Sequence, residues 1–420
     1  MASLRRARMD ELCELVTDGT HDSPKIQEVG VPFIKGKNIS GGSVDFSSCD
    51  YITPEDHAEA CRRVKPRRGD ILFSNIGSVG DTAVVKDDRE FSIKNVALFR
   101  PDISKVDPSY FYYLVLSPEF RSNVMNVRSG SAQPFISLAN LRSFEVSYCA
   151  NSKVQQRVAG ILSAYDELIE NSQRRIRILE SMARALYREW FVHFRFPGHE
   201  NHPRVASPLG EIPQGWEATT VGAHLVALES GKRPKGGIRA ELDGVPSIGA
   251  ENINGIGKHE FTSEKLVPRE FFEQMRKGVI RDRDVAIYKD GAYIGKSSYF
   301  RDGFPHAECC VNEHVFLVRG DGIRLMQNFL YVWLQEPDTV QAIRSKNANA
   351  AQPGINQQTL GGLALILPDK ITAAHFDRLV EPLLANIINL AKRIQNVRRT
   401  RDLLLPRLLS GQILIGAEVA

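Results

Sequence analysis

Apolar residues follow two alternating patterns along this chain. Short apolar runs such as residues 71–73 are interrupted by Gly, Asn and Asp, which predicts β-strands joined by turns. Short helices are predicted within the same regions, at residues 110–116 and 328–334. Each mixed region is followed by a long segment with helical spacing of its apolar residues, at 154–192 and again at 375–409.

The two long segments carry apolar residues at heptad spacing and in the same phase. Such a stripe is typical of helices that pair in a coiled coil. We predict that the two helices pack against each other; the alternative is that each packs only on its own domain. Ser172, Ala183 and Arg401 interrupt the stripes. The predicted helix-pairing residues are Ile169, Ile176, Leu179, Leu186, Ile387, Leu390, Ile394, Val397 and Leu404.

The sequence of the mixed region occurs twice along the chain. The letters VPFI at residues 31–34 return as VPSI at 245–248, and Pro118 returns as Pro337, so the offset rises only from 214 to 219. A repeat of this length indicates a duplicated domain, because solenoid units are only ~20–50 residues long. Two similar but non-identical domains suggest two similar but non-identical ligand sites.

The fold class predicted from these patterns is α+β. Two similar mixed α/β domains are joined by two long helices that pair as a coiled coil. The predicted boundaries are 1–152 for the first domain, 153–195 for a central helical spacer, 196–215 for a linker, 216–370 for the second domain, 371–413 for a C-terminal helical spacer and 414–420 for a tail.

Composition narrows the functional classes only modestly. With 42% hydrophobic and 25% charged residues, the chain is typical of a soluble globular protein, and we expect no membrane association and a cytoplasmic location. The six cysteines form no CxxC pair, so neither a zinc framework nor a disulfide scaffold is predicted. The net charge of +4 permits nucleic-acid binding without requiring it.

Catalytic signatures are incomplete. Residues 291–297 are similar to a phosphate loop, but three residues separate the glycines where four are required. The HAE triplet at 306–308 is similar to the HxE of zinc deaminases, but no cysteine follows Cys310 to complete the downstream motif. We therefore expect no catalytic residue and no metal site in this chain; the alternative is a nuclease or methyltransferase with unrecognised motifs.

Four phrases in order give the chain a family resemblance. They are REWFVHFRFP at 188–197, LGEIPQGW at 209–216, RDLLLPRLLSGQI at 401–413 and DGTHDSP at 18–24. Together they resemble the specificity subunits of Type I restriction–modification systems, over essentially the whole chain. Two departures are that Asn75 stands where an Arg is frequent, and that the second copy has no Gly-Thr-His phrase.

The resemblance implies two target recognition domains, each reading one half of a split, asymmetric site in double-stranded DNA. It implies that the two long helices pack as an antiparallel coiled coil with pseudo-two-fold symmetry and so space these domains. It also implies that the helices bind methyltransferase (modification) subunits and restriction/translocase subunits. S-adenosylmethionine, ATP and Mg²⁺ would then belong to those partners and not to this chain. A competing interpretation is a helical assembly scaffold whose domains bind protein instead of DNA.

Base reading requires polar side chains that reach base edges, and phosphate binding requires Lys, Arg and backbone N–H groups. For Asn38 and Asn252, a turn residue that caps its own backbone is an equal alternative. Candidates in the first copy are Thr20, His21, Ser23, Lys25, Lys35, Lys37, Asn38, Asn75 and Ser78; those in the second are Lys232, Arg233, Lys235, Asn252, Lys289, Tyr293 and Lys296.

If the helices are antiparallel, ~30 helical residues at ~1.5 Å each would separate the domains by roughly 45 Å. One DNA turn is roughly 34–36 Å, so both domains could read one face of a duplex. Inserting one heptad into one helix should then lengthen the unread gap of the target. A gap that is unchanged in a methylation map would contradict this hypothesis.

Overall fold

The structure is a computed structural model and describes residues 4–127, 134–235, 243–262, 264–346 and 354–413. The predicted tail, 414–420, lies outside the described residues. By its contacts the chain divides into two compact units. The first comprises Met1–Leu168 with Val397–Ala420, and the second is Ile169–Asn396. The division falls inside both long helices, so each unit holds one domain and a part of each helix.

The first unit is built around short strands and four short helices. Its strands are β1 (Leu4–Arg8), β2 (Cys13–Asp18), β3 (Val31–Ile34), β4 (Ile39–Ser40), β5 (Ser43–Val44), β6 (Asp50–Ile52), β7 (Ile71–Phe73), β8 (Thr82–Val84), β9 (Ser92–Ile93), β10 (Ala97–Pro101) and β11 (Glu145–Cys149). Its helices are α1 (Pro54–Arg63), α2 (Pro108–Leu116), α3 (Pro118–Val127) and α4 (Leu138–Ser143).

Local sequence explains where these helices begin. Thr53, Asp107 and Ser137 are the N-caps of α1, α2 and α4, and each side chain accepts a hydrogen bond from the backbone N–H three residues later. Proline occupies the first turn of α1 and α2, where its missing N–H costs nothing. Aromatic rings then fill the space between sheet and helices, with Phe73 5.7 Å from Phe120, centroid to centroid.

The long helix α5 (Ser152–Tyr187) follows, and a π-helical turn at Arg188–Val192 ends it. The second unit's strands are β12 (Arg204–Ser207), β13 (Gly210–Pro213), β14 (Glu217–Thr220), β15 (Leu225–Ser230), β16 (Val245–Ile248), β17 (Lys265–Val267), β18 (Asp284–Tyr288), β19 (Ser297–Phe300), β20 (Cys310–Val311), β21 (Val315–Gly320) and β22 (Ala364–Leu367). Its helices are α6 (Arg269–Glu273), α7 (Gln327–Leu334), α8 (Pro337–Ser345) and α9 (Gln357–Gly361), and α10 (Lys370–Leu409) is the second long helix.

The sheets confirm the duplication. A four-stranded antiparallel sheet has the order β2-β10-β7-β8 in the first unit and β15-β21-β18-β19 in the second. In both sheets, the strand that comes first in the sequence pairs with the strand of that sheet that comes last. A three-stranded sheet is likewise repeated, as β6-β3-β9 and β17-β16-β20, each with one antiparallel and one parallel pairing. The pairs β1-β11 and β14-β22 close the two domains.

A buried ion pair is repeated with the strands. Arg100 bonds both carboxylate oxygens of Asp70, at 2.9 and 2.7 Å, and Arg319 bonds Asp284 in the same way, with both distances 2.6 Å. The two aspartates are almost fully buried. Because a buried carboxylate is costly without partners, each pair ties together the two central strands of its sheet, β10 and β7 in the first unit and β21 and β18 in the second.

Within the first unit, α5 and the end of α10 share one core. Val158, Leu162, Leu405 and Leu408 are buried in the cluster that also contains the sheet and α2. Arg401 interrupts the heptad stripe because it forms an ion pair with Asp166 of α5. The Tyr113 hydroxyl donates to the same carboxylate at 2.7 Å.

Within the second unit, the end of α5 meets the start of α10. Phe191 lies 4.8 Å from Phe376 and 4.9 Å from Phe329, centroid to centroid. The rings of Tyr187 and Trp216 also border Phe191, at 5.1 and 5.6 Å. The phrase at residues 188–197 thus supplies the aromatic joint between α5 and the second domain.

The predicted helix-pairing residues lie on the inner faces of the helices. Ile169, Ile176, Ile387, Leu390 and Ile394 are buried. The remaining four, Leu179, Leu186, Val397 and Leu404, are partly buried. Among the residues described, no helix has both the length and the apolar character needed to cross a bilayer.

Candidate nucleic-acid interface

Backbone hydrogen bonds bring the predicted first-copy loops together. Thr20 N donates to Ile93 O at 3.0 Å, and Lys94 N donates to Ile34 O at 2.9 Å. On the other side, Ile136 N donates to Asn75 O at 2.9 Å. We call the resulting set, residues 19–25, 35–38, 75–80 and 134–136, the first loop cluster.

The second unit contains a matching set. Asn312 N donates to Ile248 O at 3.0 Å, and Ile355 N donates to Lys289 O at 2.9 Å, as in the first copy. The second loop cluster is formed by residues 231–235, 249–252, 289–296 and 354–355.

Glycine sets the position of one loop in each cluster. A Cβ added to Gly19 would lie 2.0 Å from the carbonyl oxygen of Ile93, and one added to Gly231 would lie 1.5 Å from that of Val311. Only glycine permits such a close approach of two backbones. Residues 231–235 are therefore the counterpart of 19–25, an equivalence that the dissimilar letters of the two loops had hidden.

The loop after Gly19 is exposed except at its start. Thr20 is buried and its hydroxyl bonds Asp22 at 3.0 Å. The His21 ring is exposed, with Nδ1 2.7 Å from Asn95 Oδ1, and Ser23 bonds Lys94. Lys25 and Ser78 are also exposed. Apart from Thr20, these predicted contacts are accessible to a ligand.

The structure buries three of the amides that were candidates for DNA contacts, and for Asn38 and Asn252 it favours the alternative of a turn residue that caps its own backbone. Asn38, Asn75 and Asn252 are each at most 2% exposed. Asn38 and Asn252 accept from the backbone N–H three residues earlier, at 3.1 and 3.3 Å, and Asn75 donates to Ile136 O at 3.2 Å. Because their polar groups are turned inward, we assign them to holding the loops and not to reading bases.

Three cations of the second cluster have aromatic or acidic partners. Lys289 Nζ lies 4.9 Å from the Phe316 ring centroid, and Lys296 Nζ lies 4.3 Å from that of Tyr293, which is exposed. Arg233 pairs with Glu313 at 2.5 Å. The other two predicted cations, Lys232 and Lys235, are exposed.

An ion pair beside the capped turn is present in both copies, but the positions of its acidic and basic residues are exchanged. In the first, Lys37 Nζ is 3.5 Å from Asp50, which also accepts from Lys35 at 2.6 Å. The hydrogen bond from Lys35 lowers the pKa of Asp50.

In the second copy, Glu251 occupies the position of Lys37, and Lys265 occupies that of Asp50 by strand register. Their charged groups are 3.1 Å apart. Each copy therefore keeps the ion pair, but the cation is carried by the turn in one and by the neighbouring strand in the other.

A cationic cavity adjoins the second loop cluster. Its volume is about 490 Å³, and it lies wholly within the second unit. Glu180 also lines it and bonds Lys258 at 3.0 Å. This charge balance suits an anionic group such as a phosphate. The lining cations are Arg177, Arg184, Lys258, Lys296 and Arg344.

A separate group of side chains was not predicted. His259, Glu264 and His306 come from three segments of the second unit, and their ligand atoms lie within 4.8 Å of one another. His306 is the first residue of the HAE triplet, but that triplet contains neither of its two partners in this group. No fixed spacing links the three residues, because strand pairing brings them together.

Comparison with known proteins shows which proteins this chain is similar to. Residues 6–181 match the family model described as the Type I restriction modification DNA specificity domain. The Type I restriction enzyme MjaIX specificity subunit of Methanocaldococcus jannaschii is 25% identical over 95% of this chain and 91% of its own length. The chain is therefore similar to Type I restriction enzyme specificity subunits, through the family model over its first copy and through a relative along almost its whole length.

Other relatives agree. The HindI specificity subunit of Haemophilus influenzae is 21% identical over 88% of this chain and 91% of its own length. In fold, the chain is similar to the crystal structure of a Type I restriction–modification S subunit from M. genitalium, with a TM-score of 0.55, 16% identity, and 97% and 96% of the two chains covered. The resemblance and the fold class predicted from the sequence are confirmed.

Proposed function

We propose that this chain acts as a specificity subunit and binds a bipartite, asymmetric target in double-stranded DNA, with each loop cluster reading one half. One observation carries the proposal. The two copies share strand order, capped turns and buried ion pairs, whereas the exposed side chains at equivalent loop positions differ. Such a difference is expected if a common frame presents different chemistry to two different half-sites.

The loop chemistry suits reading by hydrogen bonds. A lysine donates to the acceptors of guanine in the major groove, and a carboxylate accepts from the amino group of cytosine. Lys37 of the first cluster and Glu251 of the second occupy the same place in the frame. We therefore expect the two half-sites to differ at the base that this position faces.

The exposed cations suit phosphate contacts. Lys25, Lys232 and Lys235 project from the loops that the glycine contacts hold in place. Phosphate contacts position a protein on the duplex and carry no sequence information themselves. Affinity should then fall steeply as salt rises, because bound cations release counterions from the DNA.

We further propose that the subunit is not itself catalytic. It would direct methyltransferase and restriction/translocase subunits to the target, with S-adenosylmethionine, ATP and Mg²⁺ held by those partners. The paired helices α5 and α10 are the surface that we expect the partners to bind, because they are common to both units and lie outside both loop clusters.

Mapping methylated bases in genomes with and without this gene tests the proposal. Two half-motifs separated by a fixed unread gap should disappear with the deletion. A methylation pattern that is unchanged by the deletion would contradict it.

A binding assay separates DNA recognition from a scaffold function. The full chain with its methyltransferase partner should shift a duplex bearing the mapped motif, and the shift should weaken with salt. Binding of the partner without any preference for that duplex would instead favour the scaffold.

A further inference from the structure

Two histidines and one glutamate of the second unit converge on a single point. Nε2 of His259 and Nε2 of His306 both contact Oε1 of Glu264, the latter at 2.5 Å. His259 lies in the loop that follows the 249–252 turn, Glu264 immediately precedes β17, and His306 lies between β19 and β20. The three groups join segments that are separate along the chain.

The environment isolates this cluster from bulk solvent on one side. The His259 side chain is only 1% exposed, whereas that of His306 is 26% exposed. The Phe261 ring packs against both imidazoles, at 4.6 and 5.7 Å, and against Phe304 at 6.4 Å. An apolar wall therefore covers the inner side, and the His306 side leaves room for a solvent ligand.

The donor set is one that transition metals prefer. Two imidazole nitrogens and a carboxylate oxygen bind zinc at ~2.0–2.2 Å, usually with tetrahedral geometry. Tetrahedral angles then place two ligand atoms roughly 3.3 Å apart. The three atoms already lie within 4.8 Å of one another, so an ion could enter with small side-chain movements.

We propose that His259, Glu264 and His306 bind one Zn²⁺ ion, with water as the fourth ligand, and that this ion fastens the second loop cluster. The group of His259, Glu264 and His306 is connected to the capped turn at residues 249–252. Asn252 Nδ2 donates to the backbone oxygen of Glu260, the residue after His259, at 2.9 Å. An ion at this point would tie the turn to β17 and to the loop before β20.

The first copy closes the same loop without such a set. There, Asp45 accepts from the backbone and hydroxyl of Ser47, at 2.8 and 2.6 Å, and from the hydroxyl of Ser48 at 2.6 Å. Asn38 Nδ2 lies 3.4 Å from the Ser48 hydroxyl, in place of the bond from Asn252. Metal dependence is therefore expected in the second copy alone. It goes beyond the DNA-binding proposal and does not require it.

Metal content of the full chain tests the inference. The purified protein is stripped with a chelator, incubated with excess Zn²⁺, desalted and measured by mass spectrometry. We expect one ion per chain in the wild type and only background in Glu264→Gln and His306→Ala. His193→Ala, which removes an exposed histidine outside the cluster, is the matched control and should bind as the wild type does.

Two further readouts keep the inference testable if a variant folds poorly. Co²⁺ added to the stripped wild type should give the absorption of a tetrahedral nitrogen–oxygen site, without a thiolate band. Zn²⁺ at ~100 times its dissociation constant should raise the melting temperature of the wild type by about 5 °C or more, and that of Glu264→Gln not at all. A wild type that retains no metal, or variants that bind it equally well, would overturn the proposal.

Discussion

The turn at residues 35–38 in the first copy and the turn at 249–252 in the second have the same capping hydrogen bonds but different charged neighbours. Lys37 faces Asp50 in one, and Glu251 faces Lys265 in the other. In both pairs the lysine is the more exposed partner, at 59% and 54%. The exchange therefore moves the available cation from the turn to the adjacent strand. Duplication has kept the frame and the ion pair and has changed where each copy presents its donor.

The most damaging change to the shared frame should be loss of its buried carboxylate. Asp70→Asn leaves the largely buried Arg100 without its carboxylate partner, at a cost of about 3–5 kcal/mol. Asp284→Asn should cost less, because Arg319 keeps its ion pair with Glu229 at 3.0 Å. Hydrogen exchange resolved by peptide should show each variant weakening its own copy. The exposed positions Asp88 and Asp243 supply matched Asn controls. Equal loss of protection in both copies would show that the frames are not independent.

The contacts between the long helices and the rest of each unit differ in chemistry. The aromatic contacts of the second unit should be more sensitive to substitution than the aliphatic contacts of the first. Phe191→Ala in the second unit removes a ring bordered by five aromatic neighbours and should cost about 3–5 kcal/mol. Leu408→Ala in the first unit should cost about 2–4 kcal/mol. Chemical denaturation would measure both, with the exposed Val192→Ala as control. A lower free energy of unfolding for Leu408→Ala than for Phe191→Ala would contradict this order.

Acid should weaken the second unit through Glu381. Burial works to raise the pKa of this carboxyl, but hydrogen bonds from Arg301 and Asn328, at 2.7 and 2.8 Å, outweigh it and lower the pKa to about 2. Because the folded pKa lies below the ordinary value of 4.5, this stability is present above pH 4.5 and is lost as the pH falls towards 2.

Glu381→Gln should therefore lower the free energy of unfolding at neutral pH by about 2 kcal/mol. It should also flatten the decline between pH 4.5 and 2. Denaturant titrations across this range provide the measurement. An unchanged slope in the variant would assign the acid sensitivity to other carboxylates.

The smallest effect on stability should come from exchanging the turn charges themselves. Glu251→Lys combined with Lys265→Asp recreates the first-copy pair in the second copy, and should change stability by less than about 0.5 kcal/mol. Base preference at one position of one half-site should nevertheless change, by about 1–3 kcal/mol. A methylation map of cells carrying the variant would detect it. An unaltered motif would remove these residues from the reading surface.

The sequence was sufficient for the parts of the fold that depend on local patterns. Heptad spacing located α5 and α10, and the ordered repeat predicted a duplicated domain. The sequence did not reveal that Gly19 and Gly231 are equivalent. Their equivalence depends on the close approach of each glycine to a strand that is distant in the sequence. The direction of the Asn38 and Asn75 side chains was equally hidden, since a turn amide can face its own backbone or a ligand.

Contacts made by pairing of distant strands were also beyond sequence patterns. His259, Glu264 and His306 have no motif spacing, and the exchange of Lys37 and Asp50 for Glu251 and Lys265 is visible only once the strand registers are known. The loop residues predicted to bind DNA were found because they are polar and lie beside repeated apolar runs. Which of them touch a base remains a prediction for the variants above.

The core of the first unit contains Leu405, Leu408 and Leu409, which lie in α10 and so follow the second domain along the chain. During synthesis, the first domain therefore leaves the ribosome long before the segment that completes it. Its apolar surface on α2 and α5 must wait until the whole second domain has emerged. A stalled or prematurely terminated chain would keep that surface uncovered, so premature termination should yield an aggregation-prone product and not a working half-subunit.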